Sequence, residues 1–216
     1  MNIKKRTVGI IGAKGTGKTY LTRQIISTIN ERAIIFDTIG AINQPEAQKY
    51  EATKDRLNDQ AIAFGMMIKG IRKKSLSINL SKLTREEVIQ FTDLALTVAY
   101  ASEHVKNKIF VFDEIHDYLP ERYSRSKEVE RLIRHGRNDN NTFIYNTQRP
   151  AQVTKNLFNL TDILVVFRLN WKHDLEVISE VLSNMGASKE NVELIIERIT
   201  NQKIGEYTTL VLGEVG

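Results

Sequence analysis

The chain has 216 residues, of which 41% are hydrophobic, and its 31 lysines and arginines outnumber 26 aspartates and glutamates for a net charge of +5. This composition excludes a disordered or collagen-like chain, and at roughly 100–200 residues per domain the length leaves no room for two large domains. The absence of cysteine excludes disulfide scaffolds, thiol catalysis and zinc sites with cysteine ligands.

Apolar runs alternate with helical patterns along the chain, which predicts an α/β fold with a mostly parallel sheet and helices on both faces. The first predicted strand is Thr7–Ile11, and a helix with one apolar face follows from Lys18 to about Asn30. The second strand is Ala33–Asp37. Residues 42–82 are polar at first and weakly periodic, so we interpret them as an insertion of uncertain structure.

The second half of the chain has clearer signals. Thr84 and Glu87 form a capping box, and apolar residues then recur at helical spacing to about Val105. Gly136 follows a helical pattern at a position that suits a C-terminal cap. The remaining predicted strands are Ile109–Phe112, Thr142–Asn146, Asp162–Leu169 and Tyr207–Leu212, and the remaining helices are Ser126–His135, Asp174–Asn184 and Ser188–Thr200. We expect one domain that spans residues 1–216.

Targeting signals are not expected. The basic start of the chain is followed only by the short apolar run 8–11, which is too short for a signal peptide. No stretch approaches the roughly 20 apolar residues that span a bilayer. We therefore expect a soluble, cytoplasmic protein.

The strongest motif is Gly-Ala-Lys-Gly-Thr-Gly-Lys-Thr at residues 12–19, which matches the P-loop or Walker A pattern G-x-x-x-x-G-K-[ST] at every position. It lies between a predicted strand and a predicted helix, as a P-loop requires. Glycines let backbone N–H groups approach phosphates, Lys18 would reach the β- and γ-phosphates, and the Thr19 hydroxyl would bind Mg²⁺. The predicted nucleotide-binding residues are Gly12, Ala13, Lys14, Gly15, Thr16, Gly17, Lys18, Thr19 and Tyr20.

Two carboxylates, Asp113 and Glu114, follow the predicted strand Ile109–Phe112 in the manner of a Walker B motif. Ligands of open α/β sheets bind at the carboxyl ends of the strands, so both side chains should lie opposite the P-loop. Asp113 suits a Mg²⁺ ligand, and Glu114 suits the general base that activates water against the γ-phosphate. The second carboxylate favours hydrolysis over transfer to an alcohol.

A third polar strand end follows Thr142–Asn146. Its Gln148 can donate to a phosphate and accept from water at the same time, so we expect it to sense the γ-phosphate.

These motifs together resemble a known family. The P-loop, Asp-Glu-Ile-His at Asp113–His116 and Asn-Thr-Gln-Arg-Pro at Asn146–Pro150, in this order, look like the HerA/FtsK superfamily of DNA-pumping ATPases. Asp37–Gly40 and the tail from Leu164 to Leu212 extend the resemblance to most of the chain outside residues 42–82. In size the chain is similar to the compact genome-packaging ATPases of membrane-containing icosahedral viruses.

The resemblance implies a RecA-like core with strand order 5-1-4-3-2, ATP and Mg²⁺ as cofactors, and a homo-oligomeric ring that we expect to be a hexamer. It also implies an arginine donated across the subunit boundary. Arg137 is our choice, and Arg149 and Arg168 are the alternatives. The implied partners are double-stranded DNA and capsid or membrane portal proteins.

Basic side chains offer DNA contacts, although a charge run can equally be one solvated helix face. His116 and His135 lack a third metal ligand nearby, so we interpret them as polar packing residues. The candidate DNA contacts are Lys69, Arg72, Lys73, Lys74, Arg122 and Arg125.

The hypothesis that combines these features is an ATP-driven DNA translocase that packages a viral genome, in the host cytoplasm or in association with the virion. Two alternatives remain open: a P-loop kinase of a small metabolite, and a nucleotide-switched DNA-loading or partition module.

Overall fold

The computed structural model describes residues 3–29, 32–71, 75–101 and 105–212. The strands are β1 (Thr7–Ile11), β2 (Arg32–Asp37), β3 (Gln48–Glu51), β4 (Leu76–Asn79), β5 (Lys108–Phe112), β6 (Thr142–Thr147), β7 (Ile163–Phe167) and β8 (Tyr207–Val211). The helices are α1 (Lys18–Thr28), α2 (Leu57–Gly70), α3 (Arg85–Tyr100), α4 (Lys127–His135), α5 (Lys155–Asn159), α6 (Lys172–Asn184) and α7 (Lys189–Asn201), with short 3-10 helices at Ile115–Asp117, Gly136–Asp139 and Pro150–Gln152.

Within the described ranges the strands form one sheet in the order β3-β4-β2-β5-β6-β1-β7-β8. Neighbours are parallel except β7 and β8, which are antiparallel. The central strands are buried on both faces, which explains their unbroken apolar sequences. Helix α1 packs on one face through Ile26. Helices α2 to α7 contribute buried side chains to the opposite face.

Helices on both faces of this sheet confirm the predicted α/β P-loop fold class. The first five of the strands predicted from the sequence are β1, β2, β5, β6 and β7. Numbered 1 to 5 along the chain, these five lie in the sheet in the relative order 5-1-4-3-2. The order of the whole sheet differs from that prediction, because β4 and β3 extend it beyond β2 and β8 extends it beyond β7. None of the helices in the described part of the chain is long and apolar enough to cross a membrane.

The segment 42–82, interpreted as an insertion, contributes β3, α2 and β4 to the sheet and its core. Strand β3 lies at the edge and is largely exposed, so its sequence carries no apolar pattern. Helix α2 buries Leu57, Ala61, Phe64 and Ile68 at helical spacing. The segment therefore shares the hydrophobic core of the remaining fold.

Two predicted helix ends differ from the structure. Helix α3 begins with the predicted capping box but ends at Tyr100, and Val105 is buried outside the helix. Gly136 does not adopt the left-handed conformation of a glycine cap; its φ is −59° and the chain continues as a 3-10 helix.

Gly65 allows α2 and α3 to approach closely. A Cβ atom at Gly65 would lie 2.5 Å from the carbonyl oxygen of Ala95 and 2.8 Å from Cβ of Val98. We expect Gly65→Ala to lower the free energy of unfolding by about 1–3 kcal/mol, because the helices would have to separate. Gly70→Ala in the same helix is the control: no described atom lies within 4 Å of its Cβ position. Equal denaturation midpoints for the two variants would contradict this packing.

Candidate active site

The P-loop lies at the carboxyl edge of the sheet, where two neighbouring strands hold its backbone. Gly12 N donates to Thr147 O at 3.2 Å, and Ala13 N donates to Arg168 O at 2.9 Å. A Cβ atom at Gly12 would lie 2.5 Å from Cβ of Phe167, so this position requires glycine. The loop is thereby fixed to the ends of β6 and β7.

Helix α1 presents its N-terminus to this loop without a side-chain cap. Gly17, at the N-cap, has φ 115°, a left-handed value that favours glycine. The first turn contains no acidic residue. Its free N–H groups and the positive end of the helix dipole therefore suit an anion such as a phosphate.

Lys18 is buried and directed back over the P-loop. Its Nζ donates to Gly12 O at 2.7 Å and to Ala13 O at 3.0 Å. Burial lowers the pKa of Lys18, while Glu114 and Asp113 act in the opposite direction. The ammonium group thus lies where a bound phosphate could replace the two carbonyl oxygens as its partner.

The other predicted P-loop residues surround this group. Thr16 is buried, and its hydroxyl donates to Ala13 O at 2.8 Å. Thr19 is half-buried in the first turn of α1, while Lys14 and Tyr20 are exposed.

Asp113 is buried at the end of β5. Its Oδ1 accepts from Asn146 Nδ2 at 3.1 Å, whereas its buried Oδ2 has no hydrogen-bond partner among the described residues. Burial, and secondarily Asp37, raises the pKa of Asp113 to about 7. A buried carboxylate oxygen without a donor fits a Mg²⁺ site, because a hard cation or its bound water would satisfy it.

Glu114 is fixed by Gln148, which directly follows the neighbouring strand β6, and by His116 in the 3-10 helix that follows Glu114. Its Oε2 accepts from Gln148 N at 3.0 Å and lies 3.2 Å from Nδ1 of His116. Nδ1 of His116 is also 3.0 Å from Oγ1 of Thr147. Burial raises the pKa of Glu114, but the hydrogen bonds with His116 and Gln148 outweigh it, so the net shift is downward. The carboxylate is thus held ionised and oriented beside the P-loop.

Gln148 contacts Glu114 through its main chain, and its half-buried side chain remains at the strand end. The structure thus brings together the P-loop, Asp113, Glu114 and the Gln148 backbone at the carboxyl edge of β1, β5 and β6.

Three further residues complete the site: Asn146 and His116, which the sequence motifs include without a role in the site, and Thr22, which no motif includes. Asn146 is fully buried and connects Asp113 to Thr22, whose hydroxyl lies 2.9 Å from Asn146 Oδ1. His116 orients Glu114. Asn146 and His116 could have been found from the sequence as polar residues at or shortly after the ends of otherwise apolar strands, whereas Thr22 lies within α1.

Asp37, part of the resembling motif after β2, has a structural role. Its Oδ1 accepts from the N–H groups of Ile39, Gly40 and Ala41, and its Oδ2 accepts from Ile42 N at 2.7 Å. These bonds fix the turn after β2.

The candidate trans-acting arginines occupy different edges of the sheet. Arg137 precedes β6, at the edge opposite the P-loop, and its side chain lies outside the described part of the structure. Arg149 follows β6 at the P-loop edge and is exposed. Arg168 follows β7, is half-buried, and its buried Nε has no hydrogen-bond partner among the described residues.

The structure describes three of the six candidate DNA contacts. Arg72, Lys73 and Lys74 lie outside the described residues, and Lys69 is exposed on α2. Arg122 is exposed in the loop after β5. The guanidinium of Arg125 donates to Pro120 O and Glu121 O, which stabilises this loop.

Comparisons with known proteins agree with this geometry. A family model described as "ATPase family associated with various cellular activities (AAA)" matches residues 8–169. No curated protein matches the chain.

Solved structures of low sequence identity share the fold. The genome packaging NTPase B204 from Sulfolobus turreted icosahedral virus 2, in complex with AMPPCP, has a TM-score of 0.66 and 17% identity over 98% of this chain and 94% of that one. B204, the DNA-packaging ATPase from Sulfolobus turreted icosahedral virus, has a TM-score of 0.64 and 15% identity, covering 98% and 94%. VirB4 of Thermoanaerobacter pseudethanolicus has a TM-score of 0.67 and 10% identity, covering 96% and 87%.

The resemblance to HerA/FtsK-type P-loop ATPases is confirmed at the level of the fold. The chain binds ATP and is an ATPase. The match over residues 8–169 shows that it belongs to the ATPase family associated with various cellular activities (AAA).

Proposed function

We propose that this ATPase translocates double-stranded DNA and packages a viral genome into a capsid. The observation that carries the proposal is the fold, which matches almost the whole of a viral genome packaging NTPase and almost the whole of this chain. The site geometry adds support for hydrolysis, because Glu114 lies next to Asp113 and is held in place by the next strand.

In the proposed reaction, Lys18 and the free N–H groups of the P-loop bind the phosphates. Thr19 and Asp113 would hold Mg²⁺, which supplies positive charge for the β- and γ-phosphates when bound. Glu114 accepts a proton from the attacking water, and Gln148 responds to the γ-phosphate. His116 and the Gln148 N–H keep the Glu114 carboxylate in one orientation.

Stimulation of ATP turnover by linear duplex DNA is the test of this function. Arg122→Glu should reduce the stimulation without lowering the DNA-independent rate, because Arg122 is exposed and lies outside the nucleotide site. Lys172→Glu, on the exposed start of α6, is the matched charge-reversal control. An ATP turnover rate that DNA does not change, together with phosphate transfer to a small acceptor molecule, would establish the kinase alternative. Slow, DNA-independent hydrolysis with no acceptor would favour the nucleotide-switched module.

His116 is expected to act by positioning Glu114. Nδ1 of His116 lies 3.2 Å from Glu114 Oε2 and 3.0 Å from Thr147 Oγ1, and a proton on Nδ1 can be donated to the carboxylate, which can only accept. We expect His116→Ala to lower kcat about tenfold with little change in KM, and His116→Gln to recover part of the loss because an amide can donate. Steady-state kinetics on both variants checks this. Equal losses in the two variants, or a change confined to KM, would exclude the positioning role.

We also propose assembly into a ring, in which Arg137 acts on the ATP of a neighbouring subunit. Arg137→Ala and Glu114→Gln subunits, each inactive alone, should recover activity when mixed, because some sites combine an intact Glu114 with an intact Arg137. Phosphate release from mixtures that sizing shows to co-assemble measures this recovery. Its absence would exclude Arg137 and shift the role to Arg149 or Arg168.

A further inference from the structure

Two exposed apolar side chains flank Gly205, which contacts the P-loop: Ile204 lies in the turn between α7 and β8, and Tyr207 is the first residue of β8. Ile204 is 73% exposed and Tyr207 is 46% exposed. The turn is attached to the loop, because Gly205 N donates to Thr16 O at 3.0 Å and Gly205 Cα lies 3.7 Å from the Cβ position of Gly17. Apolar surface at the rim of a ligand site is the surface that a bound ligand covers.

The order of the strands determines which end of the nucleotide reaches this turn. Asp113, Glu114 and Gln148 follow β5 and β6, on one side of β1, while β7 and β8 lie on the other side. The γ-phosphate must point towards the carboxylates that act on it. The nucleoside end therefore extends over the carboxyl end of β7 and the adjoining start of β8, where Ile204 and Tyr207 lie.

An aromatic pair supports the exposed ring from below. The rings of Tyr207 and Phe167 have centroids 5.3 Å apart with an interplanar angle of 54°. Phe167 also lies beneath the P-loop, with Cε1 3.2 Å from the Cβ position of Gly17. The loop that binds the phosphates and the exposed face of Tyr207 thus rest on one buried side chain, which fixes their separation.

We propose that Tyr207 and Ile204 form the subsite for the purine base of ATP. A flat base stacks on the Tyr207 ring, and Ile204 covers its edge with apolar surface. The subsite rests on the proposed P-loop contacts with the phosphates and is independent of DNA translocation.

Binding of ADP and of pyrophosphate, measured by calorimetry, separates base contacts from phosphate contacts. Tyr207→Ala and Ile204→Ser should each weaken ADP binding about tenfold while pyrophosphate binding stays unchanged. Tyr207→Phe should bind ADP like the unmodified chain, because the ring is retained. Leu194→Ser, at a 58% exposed position on α7, is the matched control for the loss of exposed apolar surface.

Unchanged ADP affinity in Tyr207→Ala would overturn the subsite. Equal losses of affinity for ADP and for pyrophosphate would also overturn it, because they would show that Tyr207 supports the P-loop itself. Unchanged ADP affinity with loss of assembly on sizing would reassign this surface to a subunit contact. If the unmodified chain bound neither ligand, the nucleotide site would fail and the subsite with it. Failure of DNA stimulation would leave the ADP result intact, so the two proposals are tested separately.

Discussion

Replacing Lys18 with alanine is expected to abolish productive nucleotide binding and to lower ATP turnover by at least about 100-fold. The Lys18 ammonium is the buried cation directed onto the P-loop, where it holds the carbonyl oxygens of Gly12 and Ala13. Without it the phosphates lose a fixed positive charge that charge-assisted hydrogen bonds would otherwise engage. Phosphate release and ADP calorimetry measure the two losses.

A lysine far from the site provides the control for this variant. Lys189→Ala, at the exposed start of α7, removes one positive charge without touching the P-loop. Thermal unfolding of Lys18→Ala shows whether the fold is retained. Turnover near the parental rate in Lys18→Ala would refute the assignment of residues 12–19 as the phosphate site.

The parts of the fold that the sequence predicted well depend on local rules. Glycine spacing and the change from an apolar run to a helical pattern locate the P-loop, and Thr84 with Glu87 marks the start of α3. Strand β3 was missed because an exposed edge strand needs no apolar pattern. Its place in the sheet is fixed by pairing with β4, which is a tertiary contact.

The contacts inside the site could not be predicted from the sequence because they also depend on how strands pair. Glu114 meets Gln148 N because β5 and β6 pair in the register that places Phe112 beside Tyr145. It also has a left-handed backbone, with φ 48°, at a residue that does not favour it. Neither the register nor this conformation is encoded in residue spacing. The sequence therefore indicated a role for the Gln148 side chain and missed the role of its main chain.

Replacing Glu114 with glutamine is expected to preserve ATP binding and to lower hydrolysis by about 100-fold to 10,000-fold. The amide has the shape of the carboxylate, and its oxygen can still accept from Gln148 N. It cannot take a proton from the attacking water, so the chemical step loses its base. ATP affinity measured by calorimetry and single-turnover phosphate release separate these two steps.

A glutamate far from the site provides the control that shows whether the effect is specific to Glu114. Glu190→Gln, in the exposed first turn of α7, changes the net charge equally and should leave both measurements unchanged. Joint loss of binding and hydrolysis in Glu114→Gln would instead make Glu114 a metal or structural residue, because a general base contributes only after ATP is bound. Since the hydrogen bond from Gln148 N survives in this variant, a change in binding could not be attributed to collapse of that contact.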